Sequence, residues 1–196
     1  MPTHIMKLIS NFRGRNKRDK SLVMTKIEAH LSRYKSVHLN KKNVISHFIG
    51  VPMILWAIAL VFSTLTFTVE IAEKIQTHSV LPFLALALFI YYLLLNSRLA
   101  FLAIILLSPI FYHASLYNDH IYVYWLAVTV FIIGWLCQFL GHYFEQAKPA
   151  FFDDIKQLLI GPLFLISELY FACGFEKELA DKIHQTAIAY RKKMAK

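Results

Sequence analysis

Four stretches without a single Asp, Glu, Lys or Arg constrain this chain more than any other feature: residues 51–69, 79–97, 99–118 and 121–144. Each approaches the about 20 mainly apolar residues that a helix needs to cross a bilayer, so four crossing helices are expected. Their connections are short: Glu70 to His78, then Asn96-Ser97-Arg98, then Asn118-Asp119-His120. Neighbouring spans must therefore form tight hairpins, and the expected fold is all-α, an integral membrane four-helix antiparallel bundle. Composition agrees, with 57% hydrophobic and 17% charged residues against about 45–50% and about 25% in soluble domains.

The flanking charge orients the bundle. Arg33, Lys35, Lys41 and Lys42 precede the first span, Arg98 lies in the second connection, and Lys148, Lys156 and Arg191-Lys192-Lys193 follow the last. The first and third connections carry Glu70, Glu73 and Asp119, with Lys74 as their one cation. By the positive-inside rule both termini are cytoplasmic. The start of the first span and the end of the fourth then share one boundary, whereas His78, His113 and His120 belong to the other.

Residues 1–23 read as a basic extension with no apolar core followed by a cleavage site, so a secretory signal is not expected and contact with anionic membrane lipid is. Its cations lack interleaved aromatics or a recognisable module, so nucleic acid is not an expected partner. After the fourth span, Pro149 is placed to open a helix, with Asp153 and Asp154 in its first turn. Gly161-Pro162 then divides the apolar segment, giving two interfacial or re-entrant helices as additional C-terminal elements. Residues 176–196 form an amphipathic tail with Leu179, Ile183, Ile188 and Tyr190 among charges, which leaves 24–175 as the membrane domain. Cys137 and Cys173, single thiols in apolar surroundings, are expected to be buried and free.

Two polar clusters stand at the shared boundary. One is His38-x4-Asn43-x3-His47-x2-Gly50-Val51-Pro52; the other is Gln138-x2-Gly141-His142-x2-Glu145-x2-Lys148-Pro149-Ala150. Ionisable groups at a membrane edge are costly and mark functional sites. Asn43 and His47, four apart, share a helical face, but His38 is nine from His47 and would point the opposite way on one helix. His38 must reach a common site from a separate segment, with a break around residues 40–42. Gln138, His142 and Glu145, spaced by four and three, project from one side of the fourth span. Taken singly, the first cluster also reads as helix capping and the second as an ion pair of Glu145 with Lys148. Taken together, three histidines and a carboxylate suit non-haem iron or catalytic zinc. Glu168, stranded in an apolar stretch, is a further ligand or supporting candidate.

These clusters, with Tyr34 four residues before His38 and Gly161-Pro162-Leu163-Phe164-x3-Glu168 after them, resemble the Mpo1-like family over roughly residues 24–174. The resemblance implies an iron(II)-dependent dioxygenase that takes a 2-hydroxy fatty acid and O2 and removes the first carbon, as in fatty acid α-oxidation. It implies His38, His47 and His142 as Fe(2+) ligands, with Glu145 completing or orienting the set. Glu145, Asn43 and Lys148 are then the catalytic candidates, and Lys41, Lys42 or Lys148 attracts the substrate carboxylate. Tyr34, Gln138 and Glu168 are supporting or substrate-contacting candidates. A membrane hydroxylase or desaturase, a zinc-dependent lipid hydrolase and a non-catalytic membrane adaptor are the competing classes. The first would show denser histidine boxes and need external electrons. The expected host is a bacterial inner membrane, or the endoplasmic reticulum in a eukaryote.

Overall fold

The computed structural model describes residues 24–71, 74–152 and 154–194. The basic extension at 1–23, Glu73 and Asp153 lie outside the described residues. Seven helices and one hairpin follow in the order α1 (Lys26–Lys35), α2 (Lys41–Thr64), β1 (Thr66–Ile71), β2 (Lys74–Ser79), α3 (Leu81–Leu95), α4 (Ser97–Ser115), α5 (Val123–Glu145), α6 (Gln157–Ala172) and α7 (Lys177–Met194). A single 3-10 turn, Ala150–Phe152, precedes α6.

Three helices, α2, α4 and α5, are long and apolar enough to cross a membrane. The second expected span is shortened. The first uncharged run stops being helical at Thr64, because Thr66, Thr68, Val69 and Ile71 are β-branched and favour extended backbone. β1 pairs antiparallel with β2, from Thr66 opposite Ser79 to Ile71 opposite Lys74. The fold is therefore mostly helical rather than wholly so. After the hairpin, α3 has only 15 residues, or about 22 Å against a hydrocarbon core of about 30 Å. Large apolar side chains point outward along these helices; Leu94 is 78% and Trp125 74% exposed, as a lipid-facing surface requires.

The helix α2 runs antiparallel to α5. Thr64, at its end, reaches Tyr124 near the start of α5, while Asn43, near its start, lies against Gly141. Glycine permits this closeness: a Cβ on Gly50 would stand 2.6 Å from the Gly134 carbonyl. One core layer, with Leu31, Tyr34, Leu99, Leu163, Phe164 and Ile183, fills the end where α2 begins. A second, with Ala59, Leu60, Leu81, Ala114 and Val123, fills the hairpin end.

Behind α5 the expectations need revision. What opens at Pro149 is only the 3-10 turn, not an α-helix; Gln146 adopts a left-handed conformation (φ 55°), stopping α5 directly after Glu145 and turning the chain toward it. Gly161-Pro162 does not divide the next segment, because α6 runs continuously through it. Pro162 lies in the second turn, where it forfeits one bond near a helix end. The missing side chain of Gly161 admits the Tyr34 hydroxyl, 3.0 Å from where a Cβ would stand. The tail helix α7 buries Ile183 and Ala187 and is tied to α1 by Lys182 Nζ donating to Glu28 Oε1 at 2.9 Å. Cys137 is half-buried and Cys173 exposed, so the expectation of two buried thiols fails at Cys173, where α6 ends at the surface.

Candidate metal centre

His38, His47 and His142 converge. All three are buried, and one potential ligand atom from each lies within 4.8 Å of the others. Each arrives by a different route. α1 stops at Lys35, and a short connection carries His38 beneath Tyr34, whose ring stacks on the imidazole at 4.1 Å between centroids. Asn40 then caps α2 by accepting from Lys42 N–H at 2.9 Å, which sets His47 in the second turn. His142 comes from the last turn of α5. The separate segment that helix geometry demands for His38 is this connection.

The rings are fixed by their outer nitrogens. His38 Nδ1 donates to the Tyr34 carbonyl at 2.6 Å, and His47 Nδ1 donates to the Asn43 carbonyl at 2.9 Å. A carbonyl only accepts, so both protons sit on Nδ1 and both neutral rings present the Nε2 lone pair. These two Nε2 atoms face each other at 3.0 Å. Two acceptors at that distance repel unless a cation, or a shared proton, lies between them. A metal fits: nitrogens about 2.1 Å from one ion and at right angles to each other are about 3.0 Å apart. His142 Nδ1 is buried without a protein partner. Burial, then the neighbouring His47 and His142, holds the His38 pKa well below its ordinary value, so it is neutral and ready to ligate.

Glu145 lies beside this set rather than within it. Its Oε1 accepts from Leu39 N–H at 3.1 Å, and its Oε2 accepts from Asn40 N–H at 2.8 Å and from Asn43 Nδ2 at 3.2 Å. Arg191 Nη2, from α7, is 3.8 Å from Oε1 and donates to the Glu145 carbonyl at 2.8 Å. The carboxylate therefore holds the connection bearing His38. Asn43 braces the same connection, donating also to the Val37 carbonyl at 3.0 Å.

The other candidates separate. Tyr34 and Gln138 line a cavity of about 700 Å³ that contains the three histidines. Glu168 instead pairs with Lys35 at 2.5 Å. Lys41, Lys42 and Lys148 are exposed, with Lys42 Nζ 5.0 Å above the Phe144 ring. His113 accepts from Trp56 Nε1 at 2.9 Å, away from the centre. The cavity continues between α2, α3 and α5 past Leu55, Ile58 and Leu88 to Phe62 and Leu81, and its wall is almost wholly apolar. Sequence reasoning missed one member of that wall, Gln157, 1% exposed at the start of α6. Its only signal was a polar residue opening an apolar run.

Fold and site together define a helical membrane protein with a buried three-histidine centre at one end of an apolar cavity. The chain belongs to the family described as 2-hydroxy-palmitic acid dioxygenase Mpo1-like, whose model matches residues 24–173. It is 33% identical over 156 residues, 78% of this chain and 84% of the relative, to the 2-hydroxy-palmitic acid dioxygenase MPO1 of Saccharomyces cerevisiae. Family membership makes the chain an enzyme of the dioxygenase class. No solved structure matches it.

Proposed function

We propose that this protein is an iron(II)-dependent dioxygenase that removes the first carbon of 2-hydroxy fatty acids, the last step being release of a shortened acid, at the cytoplasmic face of its membrane. The observation that carries this reading is the facing pair of unprotonated Nε2 atoms at 3.0 Å, opening on an apolar cavity. His38, His47 and His142 would hold the iron, and three neutral nitrogen ligands with positions left open suit iron(II) that reacts with dioxygen. When bound, the iron supplies activation of O2 and a chelating anchor for the carboxylate and hydroxyl of the acid. The reaction balances as R-CH(OH)-COOH plus O2 giving R-COOH, CO2 and water, with all electrons drawn from the substrate. No external reductase is required, which separates it from a hydroxylase or desaturase.

The chain's own residues do the rest. Glu145 and Asn43 fix the connection that presents His38. Burial pushes the Tyr34 hydroxyl's pKa upward, so it remains a proton donor in the cavity wall. The cavity follows α2 from His47 to Phe62, fifteen residues or about 22 Å, which accommodates an extended palmitoyl chain and keeps water from it. The exposed Lys41, Lys42 and Lys148 attract the carboxylate on approach. Their number on this face, with Arg98 and Arg191, supports the cytoplasmic orientation.

The test uses the full chain purified in detergent, loaded with iron(II) or zinc, and supplied with 2-hydroxyhexadecanoate and oxygen. Iron-loaded protein should release pentadecanoate and carbon dioxide in equal amounts, one of each per O2 consumed, and zinc-loaded protein none. Retained iron without oxygen consumption refutes the assignment.

A further inference from the structure

Gln157 is a buried polar residue of the cavity wall that the metal centre does not use. It is 1% exposed, and neither its amide nitrogen nor its amide oxygen has a hydrogen-bond partner among the described residues. One such orphan costs stability, and two on one side chain are difficult to explain as packing. Gln157 stands one turn before Gly161, the residue against which the Tyr34 hydroxyl packs, so it shares the helix face turned to Tyr34 and, beyond it, to His38. Gln138 Nε2, in the same wall, is also unpartnered.

We propose that Gln157 is a specificity-determining residue that reads the head of the substrate, donating through Nε2 to the carboxylate and accepting through Oε1 from the 2-hydroxyl. An amide is the one neutral side chain that offers a donor and an acceptor side by side, and a 2-hydroxy acid presents their complements on adjacent carbons. A non-hydroxylated acid leaves the amide oxygen unpaired. Sites built to bond a substrate hydroxyl reject the analogue that lacks it far more strongly than apolar pockets reject a shape difference. The inference rests on the 2-hydroxy acid reading of the cavity.

The experiment compares wild-type and Gln157→Leu protein, full-length, iron-loaded and anaerobic so that nothing turns over. Displacement of a fluorescent polyunsaturated fatty acid reports affinity for 2-hydroxyhexadecanoate and for hexadecanoate. Wild type should prefer the hydroxy acid, and the variant should lose that preference by roughly tenfold or more, with a smaller loss of affinity for hexadecanoate, which gives up only the carboxylate bond. Ligand-free Gln157→Leu should also melt at a higher temperature, since leucine removes two unpaired polar atoms at similar volume. A structural role for Gln157 predicts the opposite shift. A preference undiminished in the variant, or a lowered melting temperature, overturns the role of Gln157. A wild type with no preference overturns the 2-hydroxy acid reading itself.

Discussion

Replacing Glu145 by alanine separates a carboxylate that binds metal from one that builds the site around it. The substitution strips acceptors from Leu39 N–H, Asn40 N–H and Asn43 Nδ2, and removes the carboxylate 3.8 Å from Arg191, which keeps its bond to the residue-145 carbonyl. A buried donor deprived of its acceptor costs about 1–3 kcal/mol, and losing the 3.8 Å contact with the part-exposed Arg191 adds about 0–1 kcal/mol. Leu39 and Asn40 are half-exposed, so water relieves part of that, and a net loss of about 3 kcal/mol is expected. For a chain of this length the melting temperature should fall by roughly 6–12 °C. Because the freed segment carries His38, iron affinity should fall as well, by about 10–100-fold, the usual effect of removing a group that orients a ligand.

The assay is thermal unfolding in detergent with and without iron, alongside chelator competition for the metal. The discriminating measurement is the metal-free one, since a carboxylate whose work is ligation has no bond to lose there. Glu145→Gln, which retains one acceptor but turns an NH2 toward backbone donors, should fall between wild type and alanine. If metal-free Glu145→Ala is as stable as wild type while iron is lost as completely as in His142→Ala, Glu145 is a ligand and the positioning argument is wrong.

Three further outcomes follow from the same geometry. Gly50→Ala places a methyl group 2.6 Å from the Gly134 carbonyl, so α2 and α5 must part, at a cost of about 1–3 kcal/mol; unfolding and iron titrations should both show it, and unchanged values would contradict the close approach. His113→Ala should retain iron and lose only about 1 kcal/mol, because Trp56 Nε1 is left without an acceptor, whereas iron loss equal to that of His142→Ala would overturn the separation of the two ends. For Glu28, burial pushes the carboxyl up, but bonds from Lys182 and from Thr25 N–H outweigh it and hold the pKa below 4.5. Its contribution to holding α7 against α1 is therefore complete above 4.5 and is lost as pH falls through the lowered value. Acid titration of stability should show this limb, of less than about 1 kcal/mol because Lys182 is partly exposed, and Glu28→Gln should lack it.

The sequence made α2, α4 and α5 legible because lipid permits few solutions for a long uncharged run. It also required His38 to leave the helix of His47, since nine residues of helix turn a side chain to the opposite face. It did not reveal where the first span ends. Thr66 to Val69 is as uncharged as a lipid-facing helix and as β-branched as a strand, and the pairing of 66–71 with residues 74–79 decides between them. Nor could Gly161-Pro162 be judged from its residue types: the pair breaks a helix interior, yet near the start of α6 it admits Tyr34 and leaves the helix whole.

Glu145 and Gln157 show why polar residues resist assignment from spacing alone. Both are buried near the same centre, and both would be expensive in an apolar wall. Glu145 is satisfied by groups more than a hundred residues away in sequence, so its burial explains itself through the folded chain. Gln157 is not satisfied by any group among the described residues. A satisfied buried polar group holds structure in place, whereas an unsatisfied one at a cavity is matched to what enters. The distinction depends on counting donors and acceptors in three dimensions, and it divides this site into a scaffold, formed by Glu145 and Asn43, and a reading head in which Gln157 faces the substrate.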